Sequence, residues 1–415
     1  MLARSGDGVN PREANTSSTD LLKSSETVSL SHDTPFLMPH SALILAGFAD
    51  KNASLFRRFQ VPLGDPAAWV DIHGHTIALV RDLEMDRVRQ KSHADHVTCP
   101  AEHIPPLGLS ADRETATAQA TVQLLRSKKI ETVITDRSLP FLFAWHLQQA
   151  EIEVRYDEEL GVLDRRTKSD QEIEALAKAQ SVTEEVMLIV LRRIAGAKAD
   201  AEGRLSVDGE VLTSEGLQSF AAMQFLQRGF SMGHGAIIAT VPQVADCHHS
   251  GSGAIYTRHP VVVDLFPRDE SSRYNGDCTR TIVHGQASQT VEAMHAAVVE
   301  AKLAAESKLV AGNLASDVHK ASEETLKQHG YPTSRGTITD APSIQHGTGH
   351  GIGLDVHEPI LLDEGGGEML EGEVFTVEPG LYGRTDGGVR VEDMLVVTEG
   401  EPRTLNRLPF GLDWS

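Results

Sequence analysis

The segment 346–359, HGTGHGIGLDVHEP, sets three histidines among glycines at 347, 349, 351 and 353. So much glycine leaves little side chain to pack a core and costs backbone entropy on ordering. The stretch is therefore expected to be neither an ordinary strand nor an ordinary helix, and something other than packing must fix it. A cation held by an imidazole would do so. Downstream, Glu378 closes VFTVE and Glu392 sits in GVRVED. Both lie in apolar surroundings, where an unpaired carboxylate is costly. Together the three segments predict a metal site.

Two more acids occupy the same kind of place. Asp264 ends the run PVVVD, apolar enough to be buried on both faces. A buried ionised carboxylate needs a partner; for an isolated aspartate, an arginine or a turn would serve as well as a metal. Asp277 follows in NGDCTRTIV, after an Asn-Gly turn signal and at the mouth of a strand. In extended chain Glu378 shares a face with Val374 and Thr376, and Glu392 shares one with Arg390 and Met394. The intervening PGLYGRTDGG is turn chemistry, which predicts that the two glutamates belong to adjacent antiparallel strands.

Four converging carboxylates without a cation would repel one another, and most would stay protonated. Two divalent cations reverse this, because four negative charges meet four positive ones. Oxygen-rich ligation with one imidazole, His350, suits Mn, Fe, Co or Zn better than a thiolate-preferring ion or Ca. Such a pair, about 3.5–4 Å apart, polarises a carbonyl and lowers the pKa of a bridging water. Hydrolysis is the expected chemistry.

Over 41–156, short apolar runs (SALILA, HTIALV, ETVITD, EIEVRY) alternate with the helical patterns ADRETATAQATVQLLRSKK and FLFAWHLQQA. This is the rhythm of an α/β layer, without a glycine-rich phosphate loop or a ligand cluster. Its expected role is oligomerisation or covering a cleft. At 164–169 the composition turns charged, and Ser169 with Glu172 forms a capping box for a helix reaching about Ala195. Further helices are predicted over 213–229, 288–310 and 316–329, with Gly229, Gly312 and Gly330 as stops. The runs AIIAT, VVVDLF, VFTVEP and VRVEDMLVV lie among them, so helices are expected around a mainly antiparallel sheet, an α+β arrangement. The expected division is a disordered tail over 1–34, polar and rich in Ser and Thr, an α/β domain over 35–160, and an α+β domain over 161–415.

A formal charge of -21, from 38 basic and 59 acidic residues, argues against nucleic-acid or anionic-membrane partners. No run approaches the roughly 20 apolar residues of a membrane helix. Cys99, Cys247 and Cys278 are odd in number and lack zinc-finger spacing, so a disulfide framework is not expected and a reducing cytoplasm fits. Cys247 and Cys278 adjoin His248 and Asp277, but alternation would turn such neighbours away from a site.

The set DLFPR…NGDCTRT, HGTGHGIGLDVHEP, FTVEPGLYG and GVRVED resembles the pita-bread metallopeptidases of family M24, and most of all their prolidase and aminopeptidase P branch. The likeness runs over about 161–400, and the preceding half is similar to that branch's creatinase-like N-terminal domain. By this resemblance Asp264 binds one metal, Asp277 and Glu392 bridge both, and His350 with Glu378 binds the other. It also makes Glu378 the proton shuttle, His357 the contact to the substrate carbonyl, and His346 a further active-site histidine. An upstream histidine is implied too. Of His248, His249 and His259, the position of His248 before SGSG fits best, with His249 next. Arg390 matches an arginine that fixes a ligand carboxylate. One departure is the long gap between Asp264 and Asp277, where PRDESSRYNG is expected to place an insertion beside the metals.

The resemblance implies a dinuclear hydrolase, Mn-dependent or using Co, Zn or Fe, and acting as a homodimer. Its substrate would be an Xaa-Pro dipeptide or a peptide N-terminus, cut at the bond to proline, whose nitrogen bears no hydrogen and whose ring is rigid. Two other outcomes are compatible with the same fold: a creatinase-like hydrolase or lyase of small zwitterions, and a metal-free peptide-binding scaffold.

Overall fold

The computed structural model describes residues 40–415. The tail expected over 1–34 lies outside the described residues. Strands β1 (Ser41–Phe48), β2 (Pro66–Ile72), β3 (His75–Leu79), β4 (His96–Thr98), β5 (Thr132–Thr135) and β6 (Glu153–Tyr156) form one sheet in the order β4-β3-β2-β1-β5-β6. The β1–β2 and β2–β3 pairs are antiparallel, whereas β3–β4, β1–β5 and β5–β6 are parallel. Helices α1 (Ala53–Phe59), α2 (Met85–Lys91), α3 (Arg113–Ser127) and α4 (Phe141–Gln149) cover it. Period-2 alternation along β1 explains the layering. Ala42, Ile44 and Ala46 pack with Leu125 of α3 and Phe143 of α4, while Leu45 packs with Leu55 and Phe59 of α1 and Val88 of α2. β2 begins with Pro66 and carries Ala67 and Ala68 in place of β-branched residues, so pattern alone does not reveal it.

Helix α5 (Asp170–Ala195) starts at the expected capping box: the Glu172 N–H donates to Ser169 Oγ, and the Ser169 N–H donates to the Glu172 carboxylate at 2.8 Å. The same carboxylate accepts from Arg57 Nε of α1 at 2.9 Å and from the Tyr274 hydroxyl at 2.6 Å. Helices α6 (Ser214–Gln227), α7 (Gln289–Glu306) and α8 (Ala315–Gln328) follow. α7 stops at Glu306, short of the expected residue 310.

The strands here pair antiparallel, as expected, but not as one sheet. Ala236–Thr240, Pro260–Leu265 and Cys278–Val283 make a three-stranded sheet; Glu358–Leu362, Gly349–Gly351, Val374–Val377, Asp393–Val396 and Arg403–Thr404 make a five-stranded one; Gly380–Gly383 pairs with Gly387–Arg390. The run expected as one strand around Glu392 is therefore two. It breaks because the Glu392 N–H leaves both neighbouring ladders and donates to the Thr279 carbonyl at 3.1 Å, joining the three-stranded sheet. Val190, Leu191 and Ile194 of α5 and Phe225 of α6 pack on Ile238, Val263 and Ile282 of that sheet. On the other side, Met294 and Val298 of α7 pack against Leu381 and Val389, and Val318 of α8 against Phe375 and Leu395. Among the described residues no helix is long and apolar enough to cross a membrane.

Candidate metal centre

A cavity of about 700 Å3 opens where the sheets meet. Asp264, Asp277, His350, Glu378 and Glu392 line it, together with His248, His346, His357 and Arg390. Strand pairing explains the convergence. Asp264 lies opposite Thr279 on the antiparallel partner, so Asp277 arrives at the same end of the sheet. Val377 pairs with Asp393, which brings the adjoining Glu378 and Glu392 to neighbouring rows. The segment 346–359, expected to hold no ordinary strand, contains the three-residue strand Gly349–Gly351 with an irregularity after His350. Its glycines answer to close contact as well as to turning. A Cβ on Gly349 would stand 1.9 Å from the Thr376 carbonyl oxygen, and one on Gly353 would stand 2.7 Å from the Glu358 carboxylate.

The His350 Nδ1–H donates to its neighbour's carbonyl, Gly351 O, at 3.0 Å, which leaves the Nε2 lone pair facing the acids. Nε2 lies 3.4 Å from Glu378 Oε1 and 3.8 Å from Asp277 Oδ2. One ligating atom from each of Asp277, His350 and Glu392 falls within 4.8 Å of the other two. Burial, reinforced by the surrounding carboxylates, pushes Asp277 and Glu392 well above the usual carboxylate range. Glu378 is raised to about 7, chiefly by burial, with Arg390 opposing. Burial lowers His346 to about 3 and His350 to about 4, so both imidazoles are neutral. Asp264 Oδ1 is buried without a hydrogen bond. An orphaned carboxylate oxygen, acids that resist ionising beside one another, and an imidazole with its lone pair turned inward form a donor set that fits divalent cations.

Arg390 organises the rest. It pairs with Asp264 Oδ2, approaches Glu378 Oε2 at 3.8 Å, and donates to Thr279 Oγ1 at 3.1 Å and to the Tyr382 hydroxyl at 3.0 Å. The Tyr382 O–H lies 2.7 Å from His346 Nε2, whose opposite nitrogen donates to the Gly347 carbonyl. Thr279 donates to Glu392 Oε2 at 2.6 Å, and Thr376 donates to Glu378 Oε1 at 3.3 Å. Thr279 and Thr376 each stand two residues from an acid, a spacing that extended chain turns to one face. Tyr382, His234 and Asp363 also belong to this neighbourhood and carry no such sequence signal.

Among the candidate upstream histidines, His248 lines the cavity, whereas His249 and His259 do not. Two expectations need correction. Cys278 points away, toward Asn406, but Cys247 lines the cavity, because 246–250 is loop and does not alternate. The insertion, residues 267–276, contributes nothing to the lining, and of the stretch between Asp264 and Asp277 only Phe266, just before it, does. Within it, Asp269 is bound by Lys178 at 2.7 Å and Arg273 binds Asp50 at 2.6 Å, while Asn275 donates to the Gly353 carbonyl at 2.9 Å.

Residues 174–399 match the model of metallopeptidase family M24. The chain belongs to that family. It is similar to a probable dipeptidase, PepE, of Mycobacterium tuberculosis, 27% identical over 340 residues that cover 75% of this chain and 82% of the relative. It is also similar to an Xaa-Pro dipeptidase of Pyrococcus horikoshii, 25% identical over 283 residues, 67% of this chain and 74% of the relative. Among solved structures, the Xaa-Pro dipeptidase from Bacillus anthracis superposes with a TM-score of 0.73 at 20% identity, over 89% of this chain and 94% of that one. The α+β arrangement is thus the pita-bread fold, and this M24 member is a metallopeptidase.

Proposed function

We propose that this M24 member cleaves Xaa-Pro bonds, in dipeptides or at a peptide N-terminus. The observation that carries the reading is the meeting of Asp264, Asp277, His350, Glu378 and Glu392 in one cavity. The Xaa-Pro dipeptidases among its relatives support the substrate class. In this reading Asp264 would hold one cation, Asp277 and Glu392 would contribute to both, and His350 with Glu378 would hold the second. Mn is the first candidate, with Co, Zn or Fe as alternatives. When bound, the cations supply a Lewis acid for the scissile carbonyl and lower the pKa of the attacking water.

The chain's own groups then divide the work. Glu378 takes the proton released as the water oxygen bonds to the carbonyl carbon, and delivers it to the proline nitrogen as the C–N bond breaks. An amide nitrogen leaves as a neutral amine and not as an anion, so the delivery is required. His357, with its ring centroid 4.2 Å from that of His350 and its pKa lowered mainly by burial, is neutral and supplies an N–H to the developing oxyanion. Arg390, Tyr382 and His346 form a donor chain that keeps Asp264 in place. His248 stands at the exposed rim.

The same reading divides the chain into an N-terminal domain over 35–160 and a catalytic domain over 161–415, supported by the closure of the first sheet at Tyr156 before α5 begins. It also makes the enzyme a cytoplasmic homodimer. Because the long insertion adds no residue to the cavity lining, nothing in it favours a small-zwitterion substrate. The test is a panel of Xaa-Pro dipeptides, longer Xaa-Pro peptides and small amidino or sulfonium compounds, assayed with added Mn. Turnover confined to the proline peptides is expected. Inactivity on all of them would overturn the reading.

A further inference from the structure

Beside the metal-centre cavity lies a second one of about 560 Å3, and the two share His357, Leu361 and Asp363. It is lined by the glycine run 365–367 and by Arg137, from the loop between β5 and α4. A Cβ on Gly365 or Gly367 would meet nothing within 4 Å, so the groove is open there.

The charges in this groove are already matched, with two exceptions. Glu358 is buried and bound by Arg165 at 2.7 Å and Lys168 at 2.9 Å. Asp363 is bound by Arg335. Arg390, the other arginine lining the paired cavities, is committed to Asp264, Thr279 and Tyr382. Arg137 and Glu364 remain, both exposed and neither in an ion pair among the described residues. The backbone that carries Arg137 is nonetheless held firmly. The Ser138 N–H donates to the buried Asp136 carboxylate at 2.8 Å, and Asn52 donates to Ser138 Oγ at 2.9 Å. An anchored loop thus presents an unengaged guanidinium to a channel whose inner end is the metal centre.

A short peptide with a free C-terminus carries a carboxylate past its scissile bond, and an unpaired cation lining the groove that adjoins the metal centre can receive it. Leu361, exposed at the junction of the two cavities, offers an apolar wall to a pyrrolidine ring on the way. We propose that Arg137 receives the C-terminal carboxylate of a short Xaa-Pro peptide and so selects substrates by the length beyond proline. This rests on the Xaa-Pro reading and deepens it. A guanidinium is suited to the task because it grips a carboxylate through two parallel N–H donors.

The test compares Ala-Pro with Ala-Pro-amide, and Ala-Pro-Ala with its amide, in the metal-loaded full chain and in R137Q, R137K and E364Q. A thermal-shift titration with proline and with prolinamide gives a second readout. In wild type, at least one free acid should exceed its amide in kcat/KM. R137Q should cut that ratio about tenfold or more, the scale of losing a charge-assisted hydrogen bond, mainly through KM. R137K should restore part of it, and proline should stabilise wild type more than R137Q. Equal handling of acids and amides by wild type would overturn the inference while leaving the Xaa-Pro reading intact. So would equal losses on acids and amides in both R137Q and E364Q, which would mark Arg137 and Glu364 as a latch across the groove. If no Xaa-Pro peptide is cleaved at all, the reading fails and this inference fails with it.

Discussion

Arg390 binds one oxygen of Asp264 and leaves the other, Oδ1, buried and without a hydrogen bond. The arginine aims the carboxylate and the free oxygen is what remains for a cation. Arg390→Met should therefore weaken metal binding about 10- to 100-fold, the usual effect of losing a group that orients a ligand. Calorimetric titration of the metal-free protein measures it. Unchanged affinity would mean that Asp264 is held by the strand alone.

Glu378→Gln separates holding a cation from moving a proton. Gln keeps one oxygen for a cation and cannot accept the proton, so kcat should fall about 100-fold or more. Metal content, measured after dialysis by mass spectrometry, should fall far less. A variant that keeps wild-type turnover removes Glu378 from the mechanism.

Gly349→Ala should be among the most damaging single-methyl changes in the chain. The added carbon has to displace the Thr376 backbone, on which Glu378 is carried. A loss of about 3 kcal/mol or more, on the scale of core overpacking, is expected from denaturant unfolding. A loss below about 0.5 kcal/mol would show that the strands part easily.

Away from the cavity, Asp269 provides a pH prediction. Burial acts to raise its pKa, but the Lys178 ammonium and two hydrogen bonds from Ser271 outweigh that and hold the carboxyl below its ordinary 3.8. A depressed pKa contributes stability above the unfolded value and loses it as pH falls through the folded one. Asp269→Asn should cost about 1 kcal/mol at pH 7, since Lys178 is largely exposed, and progressively less below pH 4. Urea unfolding at both pH values tests the sign. A cost that grows toward acid would refute it.

The parts of this molecule that sequence discloses are those governed by local rules. The Ser169–Glu172 box marks the start of α5, and apolar runs around single acids mark Asp264, Glu378 and Glu392 as costly residues needing partners. Rules of that kind end where a contact depends on the path of distant chain. The glycines of 346–359 read as freedom from a core, whereas Gly349 and Gly353 are dictated by backbone and carboxylate pressed against them. Cys247 was expected to turn away as a strand residue would, but its segment is loop. Tyr382 and Arg137 reach their positions through the meeting of separate layers, which no spacing along the chain encodes.

The Glu172 carboxylate caps the start of a helix, anchors Arg57 from the first sheet's layer and receives the Tyr274 hydroxyl. A chimera that exchanged residues 40–156 for a foreign lid would therefore disturb more than the lid. Unless the graft brought its own guanidinium to position 57, the longest helix of the recipient would start from a weakened first turn. Modular as the two halves look on paper, they share a keystone.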